Sequence, residues 1–239
     1  MRKLILIGRH GERPLDPEDG NVDDLLPQAY PQLYDLGRSY ASIALEERWN
    51  SERAFLVHSN KKRTKITGQI LLGSALDVFD SMPLSEADVV AYDGLFDSEE
   101  DERLSYDHIV ASETAWRKYG GNVNINYWLQ NPEATEHEGE AITPWTEVRS
   151  LTRGMLHEQL LKIHQGKGLG AIMGHVTTVE PSLICLVEST GRKVETIEEL
   201  CGSFAMGEVA ELWFNDLSGG LNAELMYRDN TYPVDLDNI

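Results

Sequence analysis

The sequence predicts an α/β protein in which a mostly parallel sheet is covered by helices on both faces. Three observations favour this class. The chain opens on a continuous apolar run over residues 3–8, which is typical of a strand buried on both faces. Segments with helical periodicity then alternate with short apolar strands as far as residue 173. Such alternation is the pattern of parallel strands joined by crossover helices.

The first half of the chain contains three of the predicted strands. A proline-rich and acidic stretch over residues 14–31 predicts a loop after the first strand. The apolar residues that follow recur at helical spacing through residue 44. The remaining predicted elements of this half are a strand over 54–57, a helix over 60–76 and a strand over 88–91.

The second half begins with a segment of different character. Residues 93–143 carry few strand signals and include an acidic run, so we predict a helical insertion or lid over the sheet. Periodic and apolar segments then resume. They predict a long helix from Pro144, a strand over 169–173, a helix from about residue 177, and strands over 208–214 and 222–227.

Length and amino-acid composition limit the number of domains, the partners and the cellular compartment that we expect. A chain of 239 residues with 41% hydrophobic content suffices for one large domain, residues 1–239. A net charge of -19 repels nucleic acid and anionic membranes, so we expect neither as a partner. Two cysteines make no disulfide framework, and the first residues lack the apolar length of a signal peptide or a membrane span. We therefore expect a cytoplasmic protein.

Histidines follow two of the predicted strands. The first strand runs into Arg9-His10-Gly11, and a later strand ends in Gly174-His175. Ligands bind at the carboxyl ends of parallel strands, so the two histidines can face one another across a single crevice. Because imidazole can serve as a nucleophile, an acid or a base near neutral pH, both are candidate catalytic residues.

Arginines are predicted at the same edge. Arg63 lies in the helix after the second strand, whose first turn adds free amides and partial positive charge. Arg9 and Arg13 belong to the opening motif. A guanidinium group offers a planar fork of donors for phosphate oxygens, so these three side chains can surround one phosphate. The remaining candidate substrate contacts are Gly11, Ser59 and Gly174.

These motifs resemble the histidine phosphatase (phosphoglycerate-mutase-like) superfamily over roughly residues 5–215. The longer opening, Arg9 to Pro14, is similar to the histidine acid phosphatase branch. That branch carries an aspartate directly after its second histidine, where this chain has Val176. The resemblance implies a three-layer sandwich with a phosphoglycerate-mutase-like central sheet.

Because Val176 cannot donate a proton, the proton donor has to come from another segment of the chain. In the mutase-like branch the donor is an acidic residue in a loop past the second arginine, and Leu95-Phe96-Asp97 resembles that place. The resemblance therefore implies Asp97 as the proton donor. Four more acidic residues stay open as candidates: Glu12, Glu99, Glu100 and Glu180.

The mechanism that the resemblance implies begins with attack of His10 on phosphorus to form a phosphohistidine. The three arginines and His175 would hold the phosphoryl oxygens, while Asp97 would protonate the departing oxygen and then activate water. We expect neither a metal nor a cofactor, because arginines supply the positive charge. The sequence also contains no His-Glu-x-x-His and no paired Cys-x-x-Cys.

The expected function is hydrolysis of a small phosphomonoester, so the expected partner is a small phosphorylated molecule. Two further hypotheses stay open. A phosphoglycerate-type mutase would hand the phosphoryl group back to substrate, and the acid-rich segment 93–140 argues against it. A non-catalytic module would keep the fold and the phosphate pocket, and the lack of an aspartate after His175 keeps this hypothesis open.

Overall fold

The computed structural model describes residues 2–14, 24–59, 61–76, 89–91, 111, 113–217 and 220–239. Within these residues seven strands pair into one mixed sheet, and two further strands form a separate small hairpin. Among them, no helix has the length and apolar character that crossing a bilayer requires.

Four parallel strands form one half of the sheet. They are β1 (Arg2–Arg9), β2 (Ala54–His58), β3 (Val89–Ala91) and β6 (Leu169–Gly174). Their order is β3-β2-β6-β1, with β1 and β2 both pairing in parallel with β6. We call this the parallel half. All four strands were predicted, because a strand buried on both faces reads as an unbroken apolar run.

Three antiparallel strands complete the sheet beyond β1, and we call them the antiparallel half. They are β7 (Val209–Leu217), β8 (Gly220–Tyr227) and β9 (Asn230–Val234). The sequence predicted β7 and β8 but missed β9, whose five residues include a proline and mostly face solvent. Proline is tolerated there because β9 is an edge strand.

Helices cover both faces of the sheet. Along β1, Leu4 and Leu6 pack with the helices of one face, whereas Ile5 and Ile7 pack with those of the other. This alternation along one strand creates three layers and confirms the predicted sandwich. The first face carries α1 (Ala29–Arg38), α2 (Ala41–Glu46) and α3 (Lys62–Ala75); the second carries α5 (Gly121–Gln130), α6 (Trp145–His164) and α7 (Val176–Glu188).

The predicted insertion is helical in the part that the structure describes. It comprises α4 (Glu113–Tyr119), α5, and the hairpin of β4 (Glu136–His137) and β5 (Glu140–Ala141). Trp128 of α5 is fully buried, and its ring lies 6.3 Å from that of Trp145 at the start of α6. Helix α5 therefore belongs to the core of the second face. Short 3₁₀ turns occur at Ser51–Arg53, Ile197–Leu200 and Leu236–Asn238.

Candidate active site

The register of the parallel half places the two predicted histidines side by side. Arg9, the last residue of β1, lies opposite Gly174, the last residue of β6, so His10 and His175 leave the sheet at the same edge. The backbone N–H of His10 donates to the carbonyl of Gly174 over 3.3 Å. The two imidazole rings are 5.0 Å apart, centroid to centroid, and inclined at 70°.

The ring of His10 is held in one orientation by its own loop. Its Nδ1 lies 2.7 Å from the carbonyl oxygen of Gly11. Because a carbonyl oxygen only accepts, this contact assigns the ring proton to Nδ1 and leaves the lone pair on Nε2. His10 is 3% exposed, and Nε2 is its nitrogen available for attack on an electrophile.

Both imidazoles are neutral near neutral pH. Burial, followed by the charges of Arg63 and Arg9, lowers the pKa of His10 to about 4, although its bond to Gly11 opposes the shift. Burial and the Arg63 charge lower the pKa of His175 to about 2. A cluster of cations around buried rings therefore keeps the candidate nucleophile unprotonated.

Ser59 and Arg63 meet the second histidine. The Oγ of Ser59 lies 3.1 Å from Nε2 of His175, and Nη2 of Arg63 lies 3.5 Å from the same nitrogen. Ser59 follows β2, and its N–H donates to the carbonyl of Met173 in β6 over 3.0 Å. Arg63 is in the first turn of α3 and is 9% exposed. The structure thus brings Ser59, Arg63, His10 and His175 into one crevice.

Two threonines of α3 tie this crevice together, and the sequence analysis missed both. Thr67 Oγ1 accepts from the N–H of Gly11 over 3.0 Å and donates to the carbonyl of Arg63 over 2.8 Å. Thr64 Oγ1 accepts from the Ser59 hydroxyl over 3.1 Å. Spacing was the signal that could have found Thr67, because it lies one helical turn after Arg63 and shares its face.

Arg9 is held by a segment that the sequence analysis did not single out. Its Nη1 donates to the carbonyl of Phe204 over 2.6 Å, and its backbone N–H donates to the carbonyl of Glu208 over 3.1 Å. The N–H of Gly207 donates to the carbonyl of His10 over 2.9 Å. Gly207 has φ +79°, a conformation that glycine adopts without strain. Residues 204–208, just before β7, therefore clamp the Arg9-His10 turn.

Arg13 sits on the His10 side of the crevice. Its Nη1 donates to the carbonyl of Pro14 over 3.0 Å, and its charge helps to lower the pKa of His10. Lys61 acts from the opposite side, where its charge helps to lower the pKa of His175. The crevice is thus flanked by cations in a chain whose net charge is -19.

The two glycines predicted as substrate contacts have packing roles in the structure. A Cβ on Gly11 would lie 3.0 Å from Leu33 Cδ1, and a Cβ on Gly174 would lie 2.6 Å from Thr178 Cβ. The N–H of Gly11 is already donated to Thr67. Both glycines therefore admit neighbouring protein atoms, which is a different reason for glycine from the approach of a ligand.

The predicted proton donor, Asp97, lies outside the described residues, as do the candidates Glu99 and Glu100. The structure does describe Glu12 and Glu180. Glu12 accepts from Nε2 of Gln28 over 3.2 Å. Glu180 is completely buried and accepts from the N–H of Phe204 over 3.1 Å, so its carboxyl has no access to a leaving group in the crevice.

The described residues contain no group of three or more histidine, cysteine, aspartate or glutamate side chains that could hold a metal ion.

Comparison with solved structures finds this architecture elsewhere. A protein described as mycobacterial hydrolase 1 is 11% identical with a TM-score of 0.52, over 97% of this chain and 100% of that one. Mycobacterial hydrolase 2 is 12% identical with a TM-score of 0.52, over 99% and 94%. A phosphoglycerate mutase from Bacillus anthracis str. Sterne is 12% identical with a TM-score of 0.48, over 90% and 88%.

The chain shares the fold of the two mycobacterial hydrolases. The predicted α/β architecture, a mostly parallel sheet between helices, is thereby confirmed. Neither a family model nor a curated protein matches the sequence. Since identities this low show a fold alone, activity has to be inferred from the side chains at the sheet edge.

The carboxyl edge of the parallel half presents one neutral imidazole with a free Nε2, a second imidazole beside it, and guanidinium groups around both. Such a set can bind a dianion and offer a nucleophile to its central atom. Positive groups fixed before substrate arrives need no reorganisation when charge shifts during a reaction.

Proposed function

We propose that the protein is a metal-independent phosphatase that hydrolyses a small phosphomonoester through a phosphohistidine at His10. One observation carries the proposal. The rings of His10 and His175 lie 5.0 Å apart at the carboxyl edge of the parallel half, with Arg63 against His175 and the Arg9 charge acting on both rings. A buried anion-binding crevice with an unprotonated nucleophile suits phosphoryl transfer.

In the first step, Nε2 of His10 attacks phosphorus. The P–N bond forms as the ester P–O bond breaks, and the departing oxygen takes a proton. The imidazole gains positive charge as the bond forms, and the carbonyl of Gly11, 2.7 Å from Nδ1, stabilises that charge. In the second step, water attacks phosphorus, the P–N bond breaks, and neutral His10 is restored.

Electrostatic stabilisation of the transferring group falls to Arg9, Arg63, His175 and Arg13. A phosphomonoester carries about two negative charges at neutral pH. A single donor aimed at charge that develops in a transition state is worth about 3–4 kcal/mol. Arg63 stands closest to the second imidazole, so we assign it the largest share among the arginines.

Asp97 is proposed as the acid that protonates the leaving oxygen and then takes a proton from water. The resemblance to the mutase-like branch supports this assignment. The burial of Glu180 also removes one competing candidate. Asp97→Asn should slow esters with poor leaving groups far more than esters with good ones, because only the former need a proton. Equal slowing of both would exclude Asp97 from this role.

A cytoplasmic location and a small phosphorylated partner, with neither nucleic acid nor membrane, are part of the proposal. The charge of -19 disfavours polyanionic partners. The two cysteines, Cys185 and Cys201, are unpaired, which is usual in a reducing compartment.

The deciding experiment compares hydrolysis of an aryl phosphate by wild type, His10→Ala and His157→Ala. We expect His10→Ala to lose about a thousandfold or more in kcat/KM, because the nucleophile is gone. His157 is an exposed histidine on α6, and its variant should match wild type. Trapping of acid-labile phosphate on wild type, but not on His10→Ala, would identify the intermediate.

Three outcomes would contradict the proposed phosphatase mechanism. Hydrolysis that His10→Ala leaves unchanged would remove His10 from the mechanism. Phosphate binding without hydrolysis of any monoester would favour the non-catalytic module. Return of the trapped phosphoryl group to an added acceptor, in place of water, would favour the mutase.

A further inference from the structure

Glu180 is a buried carboxyl that the proposed mechanism does not use. It lies on α7, shortly after His175, and is completely buried. Its Oε1 accepts from the N–H of Phe204 over 3.1 Å. Its Oε2 has no hydrogen-bond partner among the residues that the structure describes. Burying a carboxyl group costs free energy unless the group is hydrogen-bonded or paired, so the groups around Glu180 decide its state.

Phe204 joins Glu180 to Arg9. Its N–H donates to Glu180, and its carbonyl accepts from Nη1 of Arg9 over 2.6 Å. The ring of Phe204 is buried and stacks on Tyr227 with centroids 4.4 Å apart. A buried, stacked residue thus connects the carboxyl to a guanidinium whose charge acts on both imidazoles of the candidate site.

Three polar atoms of Glu180 and the residues that act on it are buried. The Nε of Arg9, the Oε2 of Glu180 and the Oγ of Ser203 are each buried without a hydrogen-bond partner in the described part of the chain. The Arg9 charge and the Ser203 hydroxyl both act on the Glu180 carboxyl. The Arg9 charge therefore acts both on the two imidazoles of the candidate site and on the Glu180 carboxyl.

The groups that face Glu180 come from each element packed around it. Arg9 comes from β1, Ser203 and the Phe204 amide come from the segment before β7, and Tyr227 comes from β8. Burial raises the pKa of Glu180 to about 8, although Arg9 and the Phe204 amide oppose the shift. The carboxyl is therefore protonated near neutral pH and ionises above it.

We propose that Glu180 is a positioning residue that sets the charge Arg9 offers to a bound phosphoryl group. Protonated Glu180 holds Arg9 through Phe204 and leaves the positive charge to the crevice. Ionised Glu180 competes for that charge and weakens anion binding. The inference rests on the proposed function only in taking Arg9 as a phosphate contact.

The sign of the pH effect follows from linkage. A dianion bound at Arg9 disfavours a second negative charge behind it, so the ligand prefers the protonated carboxyl. The dissociation constant of the ligand should be flat below the pKa of Glu180 and should rise above it. Across one pH unit the rise is at most about tenfold for one proton.

The test measures tungstate binding by calorimetry from about pH 6.5 to about pH 9.5. Tungstate is a phosphate-like dianion that does not titrate in this range. Wild type should bind about tenfold more weakly at the alkaline end. Glu180→Gln keeps the side-chain size and an oxygen for the Phe204 N–H, and its affinity should be independent of pH. Ser182→Ala, a buried change on the same helix, should follow wild type.

A second measurement needs no variant. Repeating the wild-type titration in buffers of different ionisation enthalpy counts the protons taken up on binding. We expect almost no uptake near pH 7 and an uptake of about half a proton near pH 8.5, because a tenfold change in affinity corresponds to a rise of about one unit in the pKa of the carboxyl when tungstate binds.

The outcomes separate the two proposals. Tungstate binding with no proton uptake, or with the same pH dependence in wild type and Glu180→Gln, overturns the role of Glu180 and leaves the proposed function intact. No tungstate binding by wild type overturns both.

Discussion

The parallel and antiparallel halves of the sheet contribute to the candidate site in different ways. The parallel half supplies charged and nucleophilic side chains, because β1, β2 and β6 all end at one edge. The segment that leads into the antiparallel half supplies backbone carbonyls, those of Phe204 and Glu208, just before β7. Parallel strands place the residues that follow them at one edge of the sheet, where ligands bind. Here the chain that enters the antiparallel strands instead supplies backbone groups that hold those residues in place.

This difference matters because the anchored residue is an arginine. A guanidinium has five donors, and those that do not face substrate need acceptors of their own. The Phe204 carbonyl provides one such acceptor, for Nη1, without adding a full negative charge to a crevice built for anions. The antiparallel half thus orients Arg9 while leaving its charge available.

Removing charge from the parallel half should have the largest effect. We expect Arg63→Ala to lower kcat/KM for an aryl phosphate by about two to three orders of magnitude, because a fixed donor beside His175 is lost. Steady-state kinetics measure this loss. Arg192→Ala is the control, since the Arg192 guanidinium lies 5.5 Å from the Tyr232 ring on β9, in the antiparallel half. A loss below about tenfold for Arg63→Ala would contradict the assigned role.

Burial of neutral His10 should also make the free energy of unfolding depend on pH. Its pKa is lowered to about 4 in the fold, so only the unfolded chain gains its proton as pH falls from about 6.5 to about 4. Stability present above about pH 6.5 is therefore lost on acidification, by about 3 kcal/mol from His10 alone. Urea unfolding at several pH values should show a shallower acid loss for His10→Gln than for wild type.

The exposed His157 provides the matched control for that experiment. His157→Gln should reproduce the wild-type acid loss, because the His157 side chain is exposed to solvent in the folded protein as in the unfolded chain. If His10→Gln and wild type lost stability in parallel, the buried neutral state of His10 would be wrong.

Contact between the two halves can be broken at Gly8. A Cβ there would lie 2.7 Å from the carbonyl oxygen of Glu208 and 2.6 Å from Val209 Cγ1. Gly8→Ala should push β7 away from β1 and destabilise the fold by about 2 kcal/mol in urea unfolding. It should also lower kcat/KM, since the Glu208 carbonyl accepts from Arg9.

Gly154 on α6 provides the control for this substitution. It shows the effect of replacing a glycine by alanine where the added Cβ causes no clash. A Cβ there meets nothing within 4 Å, so Gly154→Ala should stabilise the protein by about 0.5–1 kcal/mol. Stability of Gly8→Ala equal to wild type would show that β1 and β7 tolerate separation.

The same difference between the halves explains what the sequence could predict. Buried parallel strands leave apolar runs, and the reactive residues that follow them, such as His10 and His175, stand at predictable places. Strand β9 leaves no such run, because it alternates in exposure and contains Pro233. Phe204 acts through its backbone, which has no signature in the residue type.

Glu180 shows a different limit. As an acidic residue near His175 it was a candidate proton donor, and only its complete burial in the structure removes it from that role. Thr67 was missed because a hydroxyl that accepts from Gly11 looks, in sequence, like any helical threonine.

The smallest effect is expected from the hydrogen bond by which Thr67 of α3 holds the Gly11 backbone. Thr67→Val keeps the side-chain shape but leaves the buried N–H of Gly11 without its acceptor, at a cost of about 1–2 kcal/mol in urea unfolding. Because Gly11 also fixes the ring of His10, kcat/KM should fall by a few fold, and Thr67→Ser should restore it. A loss of kcat/KM as large as that of Gly8→Ala would move the main anchor of the nucleophile from the antiparallel half to α3.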